Sequence, residues 1–425
     1  MASSTLQMPR ISPLAILIAL VSGLGGGIVL SNLAPAAVGS ITDPLDVIGT
    51  LWLRGLQMTI VPLVVSLLIT GIVTAVAAAR AGRIAGWSMG FFFAVLWGGA
   101  IMAAIVTPLL LQAFPIPAEA AAAMVASLGG IEDVAEVPPF SEFIKQMVPT
   151  NPITAAANDA ILPLLVFTAV FALAITRLPD QPRVLLSGLF DAIGDAMLVV
   201  IGWVLVLAPI GVFALAFVVA ARTGADAIGV FLHYILIVST IGIIVWAAGY
   251  PIAVIGGKRR LMDFVRAVLP AQAVAISTQS SLASLPAMLR GARMLNVRET
   301  TADVTLPLAV ALFRSTGPAM NLAVVIYVAW LTGVELTPGT LAIGVAVAAT
   351  TTLGAVSLPG SISFISSCGP IALAMGIPLE PLALLIAVEQ LPDIIRTLGN
   401  VTNDTAAVAT VDARAGSDST ESIID

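Results

Sequence analysis

Six polar or charged side chains recur along the last long apolar stretch of the chain, at intervals that fit one face of a helix. They are Glu389, Asp393, Arg396, Thr397, Asn400 and Asp404, at i, i+4, i+7, i+8, i+11 and i+15. At about 100° per residue they fall within an arc of roughly 100°. Ionisable groups at membrane depth cost about 2.5–3.5 kcal/mol each on insertion scales, so they face a cavity and bind something. The stripe offers a fixed cation, carboxylates and neutral hydrogen-bonding groups to a small polar solute. It is the expected substrate site.

The elements that must hold this stripe follow from composition. The chain has 425 residues, 59% of them hydrophobic and only 10% charged, with a mean hydropathy of +1.07. Soluble domains average about 25% charged residues, so a water-soluble fold is excluded. Apolar runs of about 20 residues recur along almost the whole length, which points to an all-α, polytopic membrane protein. One cysteine, Cys368, leaves no intrachain disulfide. One histidine, His233, and the lack of any Cys/His cluster argue against zinc or haem, so no metal or cofactor is expected. Both residues read as bystanders. No basic patch implies a nucleic-acid partner. The acidic residues gather in a loop, Glu119 to Glu142, and in the tail from Asp412 to Asp425. The stretch after Arg10 is long for a leader and reads as the first span.

Long apolar segments lie near 14–33, 45–78, 84–113, 154–176, 184–220 and 227–256. Those at 264–289, 302–333, 340–376 and 380–411 are interrupted by Ser, Thr, Gly and Pro clusters. Two carry a polar tip in mid-segment: Thr278-Gln279-Ser280-Ser281 and Ser357-Leu358-Pro359-Gly360. Unpaired backbone at depth is tolerated only beside a cavity, so each reads as a re-entrant hairpin, and an interrupted helix follows each. That doubled pattern points to an inverted-repeat transporter with its site near the midplane. If the hairpins return, nearly all Lys and Arg fall on one side. Only Lys145, Arg222 and Arg54 fall opposite, beside the acidic loop, and both termini lie in the cytoplasm.

The strings LQMTIVPLVVSLLITGI (56–72), MVPTNPI (147–153), APIGVFAL (208–215), STQSSLASLP (277–286), SLPG (357–360) and DIIRTLGNVTND (393–404) resemble the glutamate transporter family, the dicarboxylate/amino acid:cation symporters. The resemblance covers nearly the whole chain. It implies eight transmembrane helices plus two re-entrant helical hairpins in inverted repeats, working as an elevator. Residues 1–83 would form scaffold helices 1 and 2, and 84–113 the third helix, which belongs to the transport domain. Residues 114–221 would form scaffold helices 4 and 5. Residues 222–411 would complete the transport domain with helix 6, hairpin 1, helix 7, hairpin 2 and helix 8. The polar residues 412–425 read as a disordered tail. The scaffold would make a homotrimer in the bacterial inner membrane, in contact with lipid.

Carried over residue by residue, the resemblance gives Asp393 the substrate ammonium, Arg396 its side-chain carboxylate, and Thr397 and Asn400 its polar groups. A guanidinium makes a directional, bidentate pair with a carboxylate, and a carboxylate one turn away attracts an ammonium. Ser280 and Ser281 would meet the α-carboxylate at a half-helix start. Pro359 and Gly360 would cap the site as the extracellular gate. The plainer readings are an interhelical network for the stripe, small-residue packing for the serines and a simple helix break at Pro359-Gly360.

The seventh helix departs from the family. Its pattern PLGATINMDGTA, part of the sodium-binding machinery, aligns with PLAVALFRSTGP from Pro307. Phe313, Arg314, Ser315 and Gly317 replace the Asn, Met, Asp and Thr. The third helix also lacks the family's hydroxyl pair between Phe91 and Ile101. Gaining an arginine and losing an aspartate shifts the site by two positive units. Arg314 is therefore expected to sit where sodium would lie and to pair with Asp404, leaving transport sodium-independent. Uncoupled flux, exchange and proton coupling through Glu389 or Asp404 stay open. The expected function is secondary transport of aspartate or glutamate. The alternatives are a sodium- or proton-coupled symporter of C4-dicarboxylates or amino acids, and an anion channel. The serines have no nearby histidine or lysine base, so enzyme chemistry is not expected.

Overall fold

The structure, a computed structural model of the chain, describes residues 13–80, 82–116, 121, 148–158, 160–223, 226–353 and 360–417. Most of the acidic loop, and Pro359 of the expected gate, lie outside these residues. Every regular element among them is helical, as lipid demands, because a helix satisfies its own backbone donors and acceptors. The first half runs α1 (Pro13–Leu33), α2 (Val38–Gln57), α3 (Ile60–Arg80), α4 (Arg83–Ala113), α5 (Pro152–Ala157), α6 (Ile161–Ile175), α7 (Asp180–Val206) and α8 (Ala208–Thr223). The second half runs α9 (Asp226–Pro251), α10 (Leu261–Thr278), α11 (Ser281–Met294), α12 (Glu299–Leu312), α13 (Gly317–Thr332), α14 (Pro338–Thr352), α15 (Gly360–Ala374), α16 (Glu380–Leu385) and α17 (Gln390–Ser417). Seven stretches among the described residues are long and apolar enough to cross a membrane. One of them, α10, doubles back at its tip, so length alone does not count crossings.

In the first half, α1 and α2 pack on α8, and α3 packs on α6 and α7. Glycine makes the closest of these contacts possible. A Cβ on Gly23 would lie 2.7 Å from the Phe213 carbonyl oxygen, and one on Gly27 2.5 Å from that of Phe217. Small residues one turn apart let two backbones meet where lipid supplies no hydrophobic drive. Trp52 adds a polar tie by donating its indole N–H to the Val204 carbonyl at 3.0 Å.

In the second half, α17 is the hub. Helices α4, α9, α10, α11 and α12 all pack against it, and nearly every residue from Leu398 to Val411 is buried. α10 and α11 form the first expected hairpin, joined by Gln279 and Ser280. Gln279 adopts a left-handed conformation (φ 51°), and Ser280 caps α11 by accepting the Ala283 N–H at 3.2 Å. The arms touch closely enough that a Cβ on Gly291 would lie 2.5 Å from the Ala267 carbonyl oxygen. α14 and α15 pack together as the arms of the second hairpin.

Two interruptions aim backbone into this half. α12 and α13 are separated by Phe313–Thr316, and Pro318, which has no N–H to give, is tolerated in the first turn of α13. α16 and α17 are separated by residues 386–389.

The tail departs from expectation. α17 does not stop at residue 411 but continues to Ser417. The cause is Asp412, which is buried and takes Arg298 Nε at 2.8 Å, Arg259 Nη2 at 3.0 Å and the Thr301 hydroxyl at 3.1 Å. Arg83 adds a hydrogen bond to the Ala415 carbonyl. Polar composition alone concealed a residue clamped by partners more than a hundred positions away.

Candidate functional site

The first turns of α17 carry the stripe, and five of its six side chains share one cavity. Asp393, Arg396, Thr397, Asn400 and Asp404 line it together with Arg314, Phe313, Gln279 and Ser281. The space measures about 30 Å³, room for roughly two waters. Helix geometry explains the convergence, because residues three and four apart stack on one face. The hairpin tip and the α12–α13 break close the sides.

Glu389 stands behind Arg396 and accepts from its Nη2 at 2.5 Å. The other Glu389 oxygen accepts the Tyr234 hydroxyl at 2.7 Å. Arg396 Nη1 donates to Asn321 Oδ1 at 2.6 Å, and Nε lies 3.4 Å from Asp393 Oδ1. A guanidinium has five N–H groups in a planar fork. Asn321 and Glu389 accept one N–H each and Asp393 makes an ion pair beside Nε, which fixes the plane and leaves one N–H on Nη1 and one on Nη2 for a ligand.

Asn400 ties the stripe to the broken helix. Its Oδ1 accepts from the Thr316 hydroxyl at 2.8 Å, the Thr316 backbone N–H at 3.0 Å and the Ser315 hydroxyl at 3.4 Å. The Thr316 N–H is a donor freed where α12 ends and α13 begins, so the side chain satisfies a buried piece of broken-helix backbone. The Asn400 amide group remains for the cavity. The Arg396 carbonyl lies 3.0 Å from the same Thr316 hydroxyl, so the two acceptors share its one proton.

Arg314 and Asp404 face the same cavity, and the guanidinium is in Coulombic reach of Asp393 and Asp404. The expected direct pair is not formed. Asp404 is fully buried, and among the described residues neither of its carboxylate oxygens meets a hydrogen-bond donor. With Arg314 and Arg396 against Glu389, Asp393 and Asp404, the fully ionised cluster sums to −1. Beside it three phenyl rings meet. Phe92 stacks on Phe313 with centroids 4.5 Å apart, and Phe91 meets Phe313 edge-on at 5.8 Å. The two departures noted in the third and seventh helices are thus one packed patch.

Ser281 reaches the cavity wall, whereas the Ser280 hydroxyl is occupied as the α11 cap. Gly360 opens α15. Sequence reasoning passed over Tyr234, Asn321, Thr316 and Gln390, whose side chain bonds Gln279 across to the hairpin tip. A lone Asn inside apolar α13 was a readable signal. Nothing in the sequence pairs Tyr234 with a residue 155 positions away. His233 is less idle than expected. Its ring bonds the Tyr327 hydroxyl at 3.2 Å and the Phe114 carbonyl at 2.9 Å.

An all-helical body with several apolar spans and a buried charged cavity defines a multi-pass membrane protein. The chain belongs to the sodium:dicarboxylate symporter family, whose model matches residues 13–414. It is 26% identical over 413 residues to the proton/glutamate-aspartate symporter of Escherichia coli (strain K12), covering 93% of this chain and 91% of that one. The proton/sodium-glutamate symport protein of Bacillus subtilis (strain 168) is 25% identical over 376 residues, covering 85% and 84%. A C4-dicarboxylate transport protein of Deinococcus radiodurans is 23% identical over 394 residues, covering 90% and 86%. The family makes this protein a transporter of the dicarboxylate and acidic amino acid class rather than an enzyme.

Proposed function

We propose that the protein moves aspartate or glutamate across the bacterial inner membrane without sodium. The carrying observation is that Asp393, Arg396, Thr397 and Asn400 line one cavity. At about 30 Å³ it is closed around that face, and the hairpin tip at Gln279 and Ser281 withdraws to admit an amino acid. The two free N–H groups of Arg396 take the side-chain carboxylate end-on, and Asp393 takes the ammonium. Ser281 and the backbone at the α11 start take the α-carboxylate. The half built around α17 and the two hairpins travels as the elevator against α1–α3 and α6–α8, in a homotrimer.

Arg314 supplies as a tether the positive charge that a bound metal ion would otherwise bring. Packed phenyl rings beside it support this reading, because aromatic carbon offers no oxygen ligand to a hard cation. A substrate of net −1 would take the cluster from −1 to −2, and one proton restores the balance. Asp404 is the carboxylate that takes it. Its oxygens accept no hydrogen bond, whereas those of Glu389 are held by Arg396 and Tyr234. Protonation removes a buried charge that nothing else neutralises by direct contact.

Transport of C4-dicarboxylates is the second reading, favoured by the names of several relatives. Asp393 opposes it, since a dicarboxylate brings a second negative group and no ammonium to that carboxylate. Uptake of labelled aspartate into proteoliposomes, challenged with excess unlabelled aspartate or succinate, separates the two. Aspartate is expected to compete and succinate to leave uptake unchanged. The reverse order transfers the assignment to dicarboxylates.

A further inference from the structure

A second cavity of about 550 Å³ shares no wall residue with the first. That volume lies within the range of sites that enclose small ligands, roughly 300–1,000 Å³. One wall comes from the junction of α2 and α3, the other from the end of α15 and its turn into α16. Ile60, Val61, Leu373 and Ile377 give it an apolar side, and Arg54 and Glu380 are its two charges. At one edge α15 rests on α3, where a Cβ on Gly369 would lie 3.0 Å from Ile60 Cδ1.

Arg54 and Glu380 do not pair with each other, and neither makes an ion pair within 4.0 Å of any described residue. Two opposite charges, one on each wall and not paired with one another, are satisfied together by a ligand carrying both signs. An anionic head would satisfy Arg54 and be repelled by Glu380. Depth adds a second argument. Pro35–Arg80 runs as one helical stretch apart from the Met58–Thr59 step. Arg54 lies 26 residues from Arg80, about 39 Å along a continued helix axis at 1.5 Å per residue. A bilayer with its headgroup layers is about 40–45 Å thick. With Arg80 at one headgroup layer, Arg54 therefore stands at the other.

We propose that this cavity holds the head of a zwitterionic aminophospholipid. The phosphate sits on Arg54, the ammonium on Glu380, and an acyl chain leaves along Val61, Leu373 and Ile377. The assignment depends on the chain spanning a membrane and not on which solute it carries.

The test is native mass spectrometry of the purified full-length protein, titrated with phosphatidylethanolamine, phosphatidylglycerol or free aspartate. Phosphatidylethanolamine is expected to be retained about tenfold over phosphatidylglycerol, as two charge-assisted contacts against one imply. Arg54→Gln should lower retention of both lipids, and Glu380→Gln should abolish the preference while phosphatidylglycerol still binds. Leu373→Trp fills the apolar wall with both charges in place and should exclude either lipid. Circular dichroism confirms that each variant is folded. Equal retention of the two lipids, indifference to the charge variants, or displacement of phosphatidylethanolamine by free aspartate overturns the proposal. No readout involves transport, so an error in the substrate assignment leaves the result standing.

Discussion

Asp404 and Asp412 sit two turns apart on one helix and are treated in opposite ways. Asp412 is gripped by Arg259, Arg298 and Thr301. Asp404 is more deeply buried and accepts no hydrogen bond. A buried carboxylate with a full set of donors fixes structure, and here it fastens the end of α17 to the base of the first hairpin and the start of α12. A buried carboxylate with none is a cost to the fold, kept where the group does work. On the proposed function, the cavity end of α17 is the working end and its C-terminal end the anchored one.

That contrast can be broken by substitution. Arg396→Lys keeps the charge but loses the planar fork, and kcat/KM for uptake should fall about 100-fold while the thermal midpoint stays within a few degrees. Asp412→Asn should do the converse. Stability in detergent should drop by about 2 kcal/mol, discounted because the Arg298 side chain is 44% exposed, and KM should be unchanged. Asp404→Asn should raise the midpoint, by about 1–2 kcal/mol in stability, because a buried charge without donors is removed. Uptake by this variant should no longer respond to a proton gradient. Tyr234→Phe deletes one hydrogen bond behind Arg396, and a KM increase of about fivefold, near 1 kcal/mol, is expected. If Asp404→Asn destabilised the protein as much as Asp412→Asn, the division into working and anchored ends would be lost.

Much of the working end was legible because one helix carries it. The spacing from Glu389 to Asp404 needs only helical periodicity, and the polar tips of the hairpins announce themselves inside apolar runs. What failed to show were contacts between distant segments. The sequence told that Phe91 to Ile101 lacks a hydroxyl and that Phe313 replaces an asparagine. It did not tell that Phe91, Phe92 and Phe313 pack into one patch. Arg314 and Asp404 line one cavity, but the direct pairing expected between them is not formed. Asp412 was assigned to a loose tail because its partners, Arg259 and Arg298, are 153 and 114 residues away.

If Arg314 stands in for a bound metal ion, initial aspartate uptake into proteoliposomes is indifferent to sodium. Rates are compared with and without an inward sodium gradient, at fixed pH and fixed membrane potential. The account predicts equal rates. A rate that rises severalfold with sodium would contradict it.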